Sequence, residues 1–203
     1  MRFDFFTDRF RATLEGEAGL ERMLGELDAG LPSSLSVVGN ATSLLAERHG
    51  TAIDKRATIR FNLAQIVDPV AQGARWDFVA SSNIQTLRYY REHEPAYTHL
   101  IYTAHVDVHL RKLAELGSAR PVLQYPLRLS RELLDACGAR PTTGMQILYL
   151  LDRLGRKDVA IFGFDWKETP TFYEPGRKRD PHRHDRERQL GGALIERNGW
   201  QLF

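Results

Sequence analysis

The spacing of apolar positions changes repeatedly along the chain. Leu35-Ser36-Val37-Val38 is a short β-rich run that ends at Gly39-Asn40. Ala57-Thr58-Ile59-Arg60-Phe61-Asn62, Trp76 to Ala80, His99 to Ala104 and Pro121 to Tyr125 follow as further strand-like runs, and Asp158 to Phe164 is another. Helical patterns lie between them. Residues 1–31 form a charged helical lead-in, punctuated at Ala18-Gly19 and Ala29-Gly30. Thr42 to Arg48 predicts a helix stopped by Gly50, and Leu129 to Ala136, Gly144 to Leu154 and His184 to Glu196 predict three more. The helix from Gly144 carries Met145, Ile147, Leu148, Leu150, Leu151 and Leu154. It is apolar nearly all round, which predicts burial against a sheet. A long polar loop runs from Asp165 to Pro181, and the chain ends in the apolar tail Trp200-Gln201-Leu202-Phe203.

Short buried strands alternating with helices predict an α/β fold, a mainly parallel sheet flanked by helices. We expect one domain over residues 1–203. In such sheets ligands bind outside the carboxyl ends of the strands. That directs attention to Asn40, Asn62, the segment before Gly144 and the loop after Phe164.

Composition narrows the classes. Hydrophobic residues make up 42% and charged residues 27% of 203, an ordinary globular balance that excludes a disordered tail or a coiled-coil rod. Cys137 is the one cysteine, so an intrachain disulfide is excluded, and the residue is expected to pack. The first residues, Met1-Arg2-Phe3-Asp4-Phe5-Phe6, break apolar positions with charge, unlike a signal peptide. No run approaches the roughly 18 apolar residues of a transmembrane helix. A cytoplasmic protein is expected, with membrane-peripheral work compatible. Lys and Arg number 28 against 26 Asp and Glu, a net charge of +2, too balanced for a nucleic-acid binder. The stretch from Arg177 to Arg188 holds six Lys or Arg and three acids, and its default reading is a solvated face.

Several small constellations carry chemistry. Gly39-Asn40 joins a strand to a helix, where a glycine turn and helix N–H groups can meet an anion; a plain βα turn has the same residues. Pro141-Thr142-Thr143-Gly144 precedes the buried helix and offers two hydroxyls and a helix N-terminus; Thr143 as a simple N-cap is the alternative. His105, Asp107 and His109 would share one face of a strand, as a metal would require, whereas a helix there would scatter them. His182 stands at the start of a helix, where an imidazole can act as general base near neutral pH.

Together and in this order the motifs resemble a known family. Ser36-Val37-Val38-Gly39-Asn40 with Gly50, Ile53-Asp54 and Ile59-Arg60-Phe61-Asn62 resembles the large sialylmotif of glycosyltransferase family 29, the sialyltransferases. Pro141-Thr142-Thr143-Gly144-Met145, closing with Val159-Ala160-Ile161-Phe162-Gly163-Phe164, resembles the small sialylmotif. Thr171-Phe172-Tyr173-Glu174 partly resembles the third motif, and His182 followed five residues later by Glu187 resembles the very small motif. The likeness spans residues 35–187.

The resemblance implies a GT-A-like, Rossmann-like fold and a bacterial-type, metal-independent enzyme without a cofactor. It implies transfer of a sialic acid-type sugar from a CMP-sugar co-substrate to a glycan acceptor of the surface polysaccharide or lipopolysaccharide type. A CMP-Kdo-dependent transferase and a non-catalytic CMP-binding member are the alternatives. Asn40 and Asn62 would meet the ribose-phosphate portion of the donor, and Thr142, Thr143 and Gly144 would cradle the nucleotide. Trp166 and Tyr173 would touch CMP, His182 would be the base, and Glu187 would support the site. The loop from Asp165 to Pro181 is expected to act as a lid. Departures from the family pattern are visible. Leu35 and Arg156 stand where animal members carry bridged cysteines, Pro181 replaces a frequent tyrosine, and Thr171 replaces a histidine that would assist the leaving phosphate.

Overall fold

The computed structural model describes residues 16–63, 65–92, 97–103, 121–172 and 181–203. Strands β1 (Ser34–Val38), β2 (Ala57–Phe61), β3 (Phe78–Ser81), β4 (His99–Tyr102), β5 (Val122–Gln124), β6 (Asp158–Phe162) and β7 (Gln201–Leu202) join in one seven-stranded sheet of order β5-β4-β3-β2-β1-β6-β7. Every pairing is parallel. Strands β1 and β2 are buried on both faces, which is why they read as near-continuous apolar runs. Helices α1 (Glu17–Gly30), α2 (Ile84–Glu92), α3 (Leu127–Cys137), α4 (Thr143–Arg153) and α5 (His184–Asn198) flank the sheet. The α/β architecture with its parallel sheet is therefore the one the alternation predicts.

Side-chain alternation divides the core. Leu35, Val37, Ile59, Val159 and Ile161 join Leu20 and Leu27 of α1, Leu129 and Leu133 of α3, Leu194 of α5 and most of α4 in the largest cluster. Their neighbours in the strands, Val38, Ala160 and Phe162, look to the other face and pack on Leu44 and Ile53. Each Leu or Ile buried in this way contributes about 1.5–3 kcal/mol. Met145, Gln146, Ile147, Leu148, Leu150 and Leu151 are all buried in α4, as its nearly continuous apolar surface predicts. Cys137 is buried at the end of α3, and burial, with Glu187 nearby, pushes its thiol up to about 11.

Polar groups inside the sheet are bonded. Ser36 donates through Oγ to the carbonyl of Ile53 at 2.8 Å. Arg60, 2% exposed, donates through Nε to the carbonyl of Arg75 at 2.9 Å and through Nη2 to that of Gln72 at 2.7 Å. Burial pushes its guanidinium down to about 10, against the pull of Asp54 and Asp77.

Three local expectations are corrected. Thr42–Ala46 is a 3-10 turn and not an α-helix; a separate helical turn follows at Gly50–Ile53. The turn closes through i to i−3 bonds, from the N–H of Leu44 to Ala41 at 3.2 Å and from that of Glu47 to Leu44 at 3.3 Å, while Thr42 donates outside it to Pro170 at 3.0 Å and Ser43 to Thr169 Oγ1 at 3.2 Å. The third strand starts at Phe78, not Trp76. The carboxylate of Asp77 instead takes the N–H of Thr58 and the guanidinium of Arg75. The apolar tail is a strand, with β7 parallel to β6 and Trp200 donating through Nε1 to Arg156 at 2.8 Å.

At the two positions where a disulfide would stand, other contacts act. Leu35 is fully buried in the core, and Arg156 donates through Nη2 to the carbonyls of Asp28 and Leu31, both at 2.8 Å. The guanidinium thereby ties the end of α1 to the start of β6. Among the described residues no helix is long and apolar enough to cross a membrane. Residues 1–15, with half of the predicted lead-in, and the segment of His105, Asp107 and His109 lie outside the described residues.

Candidate active site

Strand order reverses at β1. The chain steps from β1 through β2, β3, β4 and β5 in one direction, and β6 then returns to the other side of β1. Ligands of open α/β sheets bind at such a switch point, outside the carboxyl ends of the strands. Here the loops after β1 and β6 touch. The N–H of Gly39 donates to Phe162 at 2.7 Å, and a Cβ on Gly39 would lie 2.2 Å from the carbonyl oxygen of Gly163. Only glycine admits that approach. A cavity of about 940 Å³ opens beside it. Asn40, Asn62, Thr142, Thr143, Gly144, Trp166 and His182 all line this one cavity. Of the sequence-predicted site residues, Tyr173 lies outside the described residues, as do residues 174–180 of the expected lid with Arg177, Lys178 and Arg179.

The asparagines form one wall. Asn40 donates through Nδ2 to the carbonyl of Phe61 at 2.9 Å, tying the ends of β1 and β2 together. Asn62 has φ 52, a left-handed conformation that asparagine tolerates better than most side chains. Its Oδ1 accepts from Ser81 Oγ at 2.9 Å, and its carbonyl accepts from the Tyr90 hydroxyl.

Two helix N-termini form a second wall. Thr142 caps α4, accepting from the N–H of Met145 at 3.1 Å. Its own N–H and hydroxyl donate to Glu187 Oε1 and Oε2, both at 2.7 Å. Glu187 stands in the first turn of α5 and is 2% exposed. Burial pushes its carboxyl up, while the bonds from Thr142 and the nearby His182 and His184 pull it down. The next two N–H groups, of Thr143 and Gly144, open α4 where no intrahelical carbonyl reaches them. They bring the positive end of the helix dipole to the cavity.

His182, half-buried, precedes α5. Its Nδ1 lies 2.7 Å from the carbonyl oxygen of Arg140. A carbonyl only accepts, so Nδ1 carries the hydrogen and the lone pair of the neutral ring is on Nε2. The backbone thus selects the tautomer that a base acting through Nε2 requires.

The loop after β6 forms the third wall. Asp165 Oδ2 accepts from Ser43 Oγ and from the N–H of Thr169, each at 3.0 Å, and from the Thr169 hydroxyl. Its Oδ1 accepts from the N–H of Lys167 at 3.1 Å. Trp166 and Lys167 have φ 55 and 70. The Trp166 ring meets Phe164 edge-on at 6.1 Å and lies over Gly191 of α5, where a Cβ would come within 2.1 Å of it. Thr171 pairs with Ala41 in an antiparallel bridge.

Asp165, Lys167 and Arg140 also line the cavity, though no sequence motif marks them. The usable signal was position: Asp165 and Lys167 follow the carboxyl end of β6 directly, and Arg140 precedes the Pro141-Thr142 pair. Among the described residues no group of three His, Cys, Asp or Glu side chains is gathered as a metal ion would require.

No protein-family model and no curated protein sequence matches the chain. Solved structures do. A mammalian sialyltransferase matches with a TM-score of 0.58 and 17% identity, over 97% of this chain and 84% of that one. A mammalian sialyltransferase in complex with Gal-beta-1-3GalNAc-ortho-nitrophenol matches with a TM-score of 0.60 and 16% identity, over 98% and 79%. A Campylobacter jejuni sialyltransferase in complex with the substrate analogue CMP-3FNeuAc matches with a TM-score of 0.55 and 15% identity, over 84% and 79%. At these identities the likeness is one of architecture, and this chain carries the GT-A-like fold of the sialyltransferases.

Proposed function

We propose that the protein is an inverting glycosyltransferase that moves a sialic acid-type sugar from a CMP-sugar to a glycan hydroxyl, with His182 as base. The observation that carries this reading is the imidazole at the switch-point cavity, its Nδ1 held by Arg140 and the N-terminus of α4 beside it. The solved relatives add weight, one holding a CMP-sugar analogue and another a disaccharide glycoside.

In the proposed step Nε2 of His182 takes the acceptor proton while the acceptor oxygen attacks the anomeric carbon. The bond from that carbon to the phosphate oxygen breaks, and its electron pair leaves with CMP. Asn40 and Asn62 hold the ribose-phosphate, and Trp166 and Tyr173 contact CMP. The N–H groups of Thr143 and Gly144 face the growing phosphate charge, fixed in place before reaction. The Thr142 hydroxyl donates its hydrogen bond to Glu187, so its part is to position the cradle. No residue in this scheme calls for a metal.

Purified protein is to be screened against CMP-sialic acid and CMP-Kdo, with release of CMP as readout and a polysaccharide or lipopolysaccharide acceptor added. His182→Ala should lower turnover about 10²- to 10⁴-fold, the usual contribution of a general base, with CMP affinity kept. Equal loss of both would assign His182 a structural role. The second reading, a non-catalytic CMP-binding protein, is favoured by the neutral Thr171. Calorimetry that finds CMP binding without turnover of either donor selects it.

A further inference from the structure

As CMP leaves, its phosphate gains a full negative charge, and a site that speeds this step should place a cation there. The third-motif position holds Thr171, a neutral hydroxyl. Lys167 Nζ lies 2.9 Å from Thr171 Oγ1, and both residues line the cavity with Thr143 and Gly144. We propose that Lys167 is a catalytic residue, its ammonium supplying at the leaving phosphate the charge that Thr171 lacks. This inference rests on the transferase reading above and assigns a residue that the sequence motifs did not point to.

Three features support it. An ammonium has three N–H donors, and the bond to Thr171 uses one. Thr171 is itself fixed, bridged to Ala41 at the end of β1, so it is a positioning residue for Nζ. Lys167 and Trp166 are also held with positive φ. Such backbone costs about 1–3 kcal/mol per residue and persists where surroundings over-determine it. Here Asp165 supplies that constraint through the Lys167 N–H. Arg140, another cation lining the cavity, has Nη2 3.3 Å from Ser82 Oγ after β3.

The step balances without a change at Lys167. The anomeric C–O bond to phosphate breaks with its electron pair on the phosphate oxygen, the acceptor C–O bond forms, and the proton goes to His182. Lys167 remains protonated throughout.

The test compares wild type, Lys167→Met, Lys167→Arg and Thr171→Val. Lys167 is exposed, so all should melt near the wild-type temperature. Release of CMP from CMP-sialic acid should fall about 10²- to 10³-fold in Lys167→Met, the cost of removing one oxyanion-stabilising group. Lys167→Arg should recover most of that loss, and Thr171→Val should fall about tenfold or less with unchanged CMP affinity by calorimetry. Wild-type turnover in Lys167→Met, with the wild-type protein active, overturns this inference and leaves the proposed function standing. A wild-type protein that neither binds CMP nor releases it from the donor overturns both.

Discussion

Glu187 and Asp165 each hold a wall of the same cavity. Glu187 is 2% exposed and joins two helices, taking the N–H and hydroxyl of Thr142 from 45 residues away. Asp165 is half-buried and works over a shorter span in its own loop, on Lys167 and Thr169, with one long-range bond from Ser43. The buried acid suffers desolvation, which pushes its carboxyl up, and it is bonded in compensation. The difference teaches that the two walls are built for different ends. Glu187 couples the geometry of His182 and the α4 N-terminus to the stability of the fold. Asp165 shapes a loop and bears little on the core.

Glu187→Ala is the most severe way to test that contrast. It leaves the N–H and hydroxyl of the half-buried Thr142 facing the buried space that the carboxylate filled, a cost of about 2–3 kcal/mol, read as a lower urea midpoint. A loss no larger than that of Asp165→Ala would break the distinction. Gly191→Ala comes next. Its Cβ meets the Trp166 ring at 2.1 Å, and overpacking of this kind costs about 2 kcal/mol. Because it presses α5 against the loop, it should also lower CMP release. Stability loss with wild-type turnover would show the two walls to be independent. Asp165→Ala removes the acceptor of four hydrogen bonds, in a half-buried loop where water can replace it, so it should cost only about 1 kcal/mol, yet reduce turnover more than about tenfold by freeing Lys167.

The smallest effect is in pH. Glu187 has a folded-state pKa above its unfolded value, so its ionised form is penalised in the fold. That penalty is full above the folded pKa and is relieved as pH falls through it towards the unfolded value. Wild type should therefore gain stability relative to Glu187→Gln as pH falls over that window, groups other than His182 and His184 cancelling in the difference. Parallel urea curves for the two proteins at each pH would contradict the buried, raised carboxyl.

Much of the scaffold was legible before the structure. Runs such as Leu35 to Val38 and Asp158 to Phe162 announce buried parallel strands, since both faces of each strand need apolar side chains. The Thr142-Thr143-Gly144 segment announces a helix start by its residue types. Thr42 to Arg48 reads as a helix, yet Thr42–Ala46 is a 3-10 turn seated on Pro170 and Thr169. Local pattern carries no trace of partners that distant. Lys167 escapes local pattern for a similar reason. A lysine in a polar loop is unremarked until its neighbours show that the turn brings it to Thr171.

The chain's own pattern determined the alternation of strands and helices, the parallel sheet, and which short segments could meet an anion or carry a proton. Those features follow from periodicity and residue chemistry, which act over a few neighbouring positions. Tertiary structure alone decided that Arg140 selects the His182 tautomer, that Thr142 gives its hydroxyl to Glu187, and that Lys167 stands beside Thr171. Each is a contact set by strand order and loop path. Hydrogen bonds form by direction within about 3 Å, and that distance is reached only after the whole sheet has been assembled.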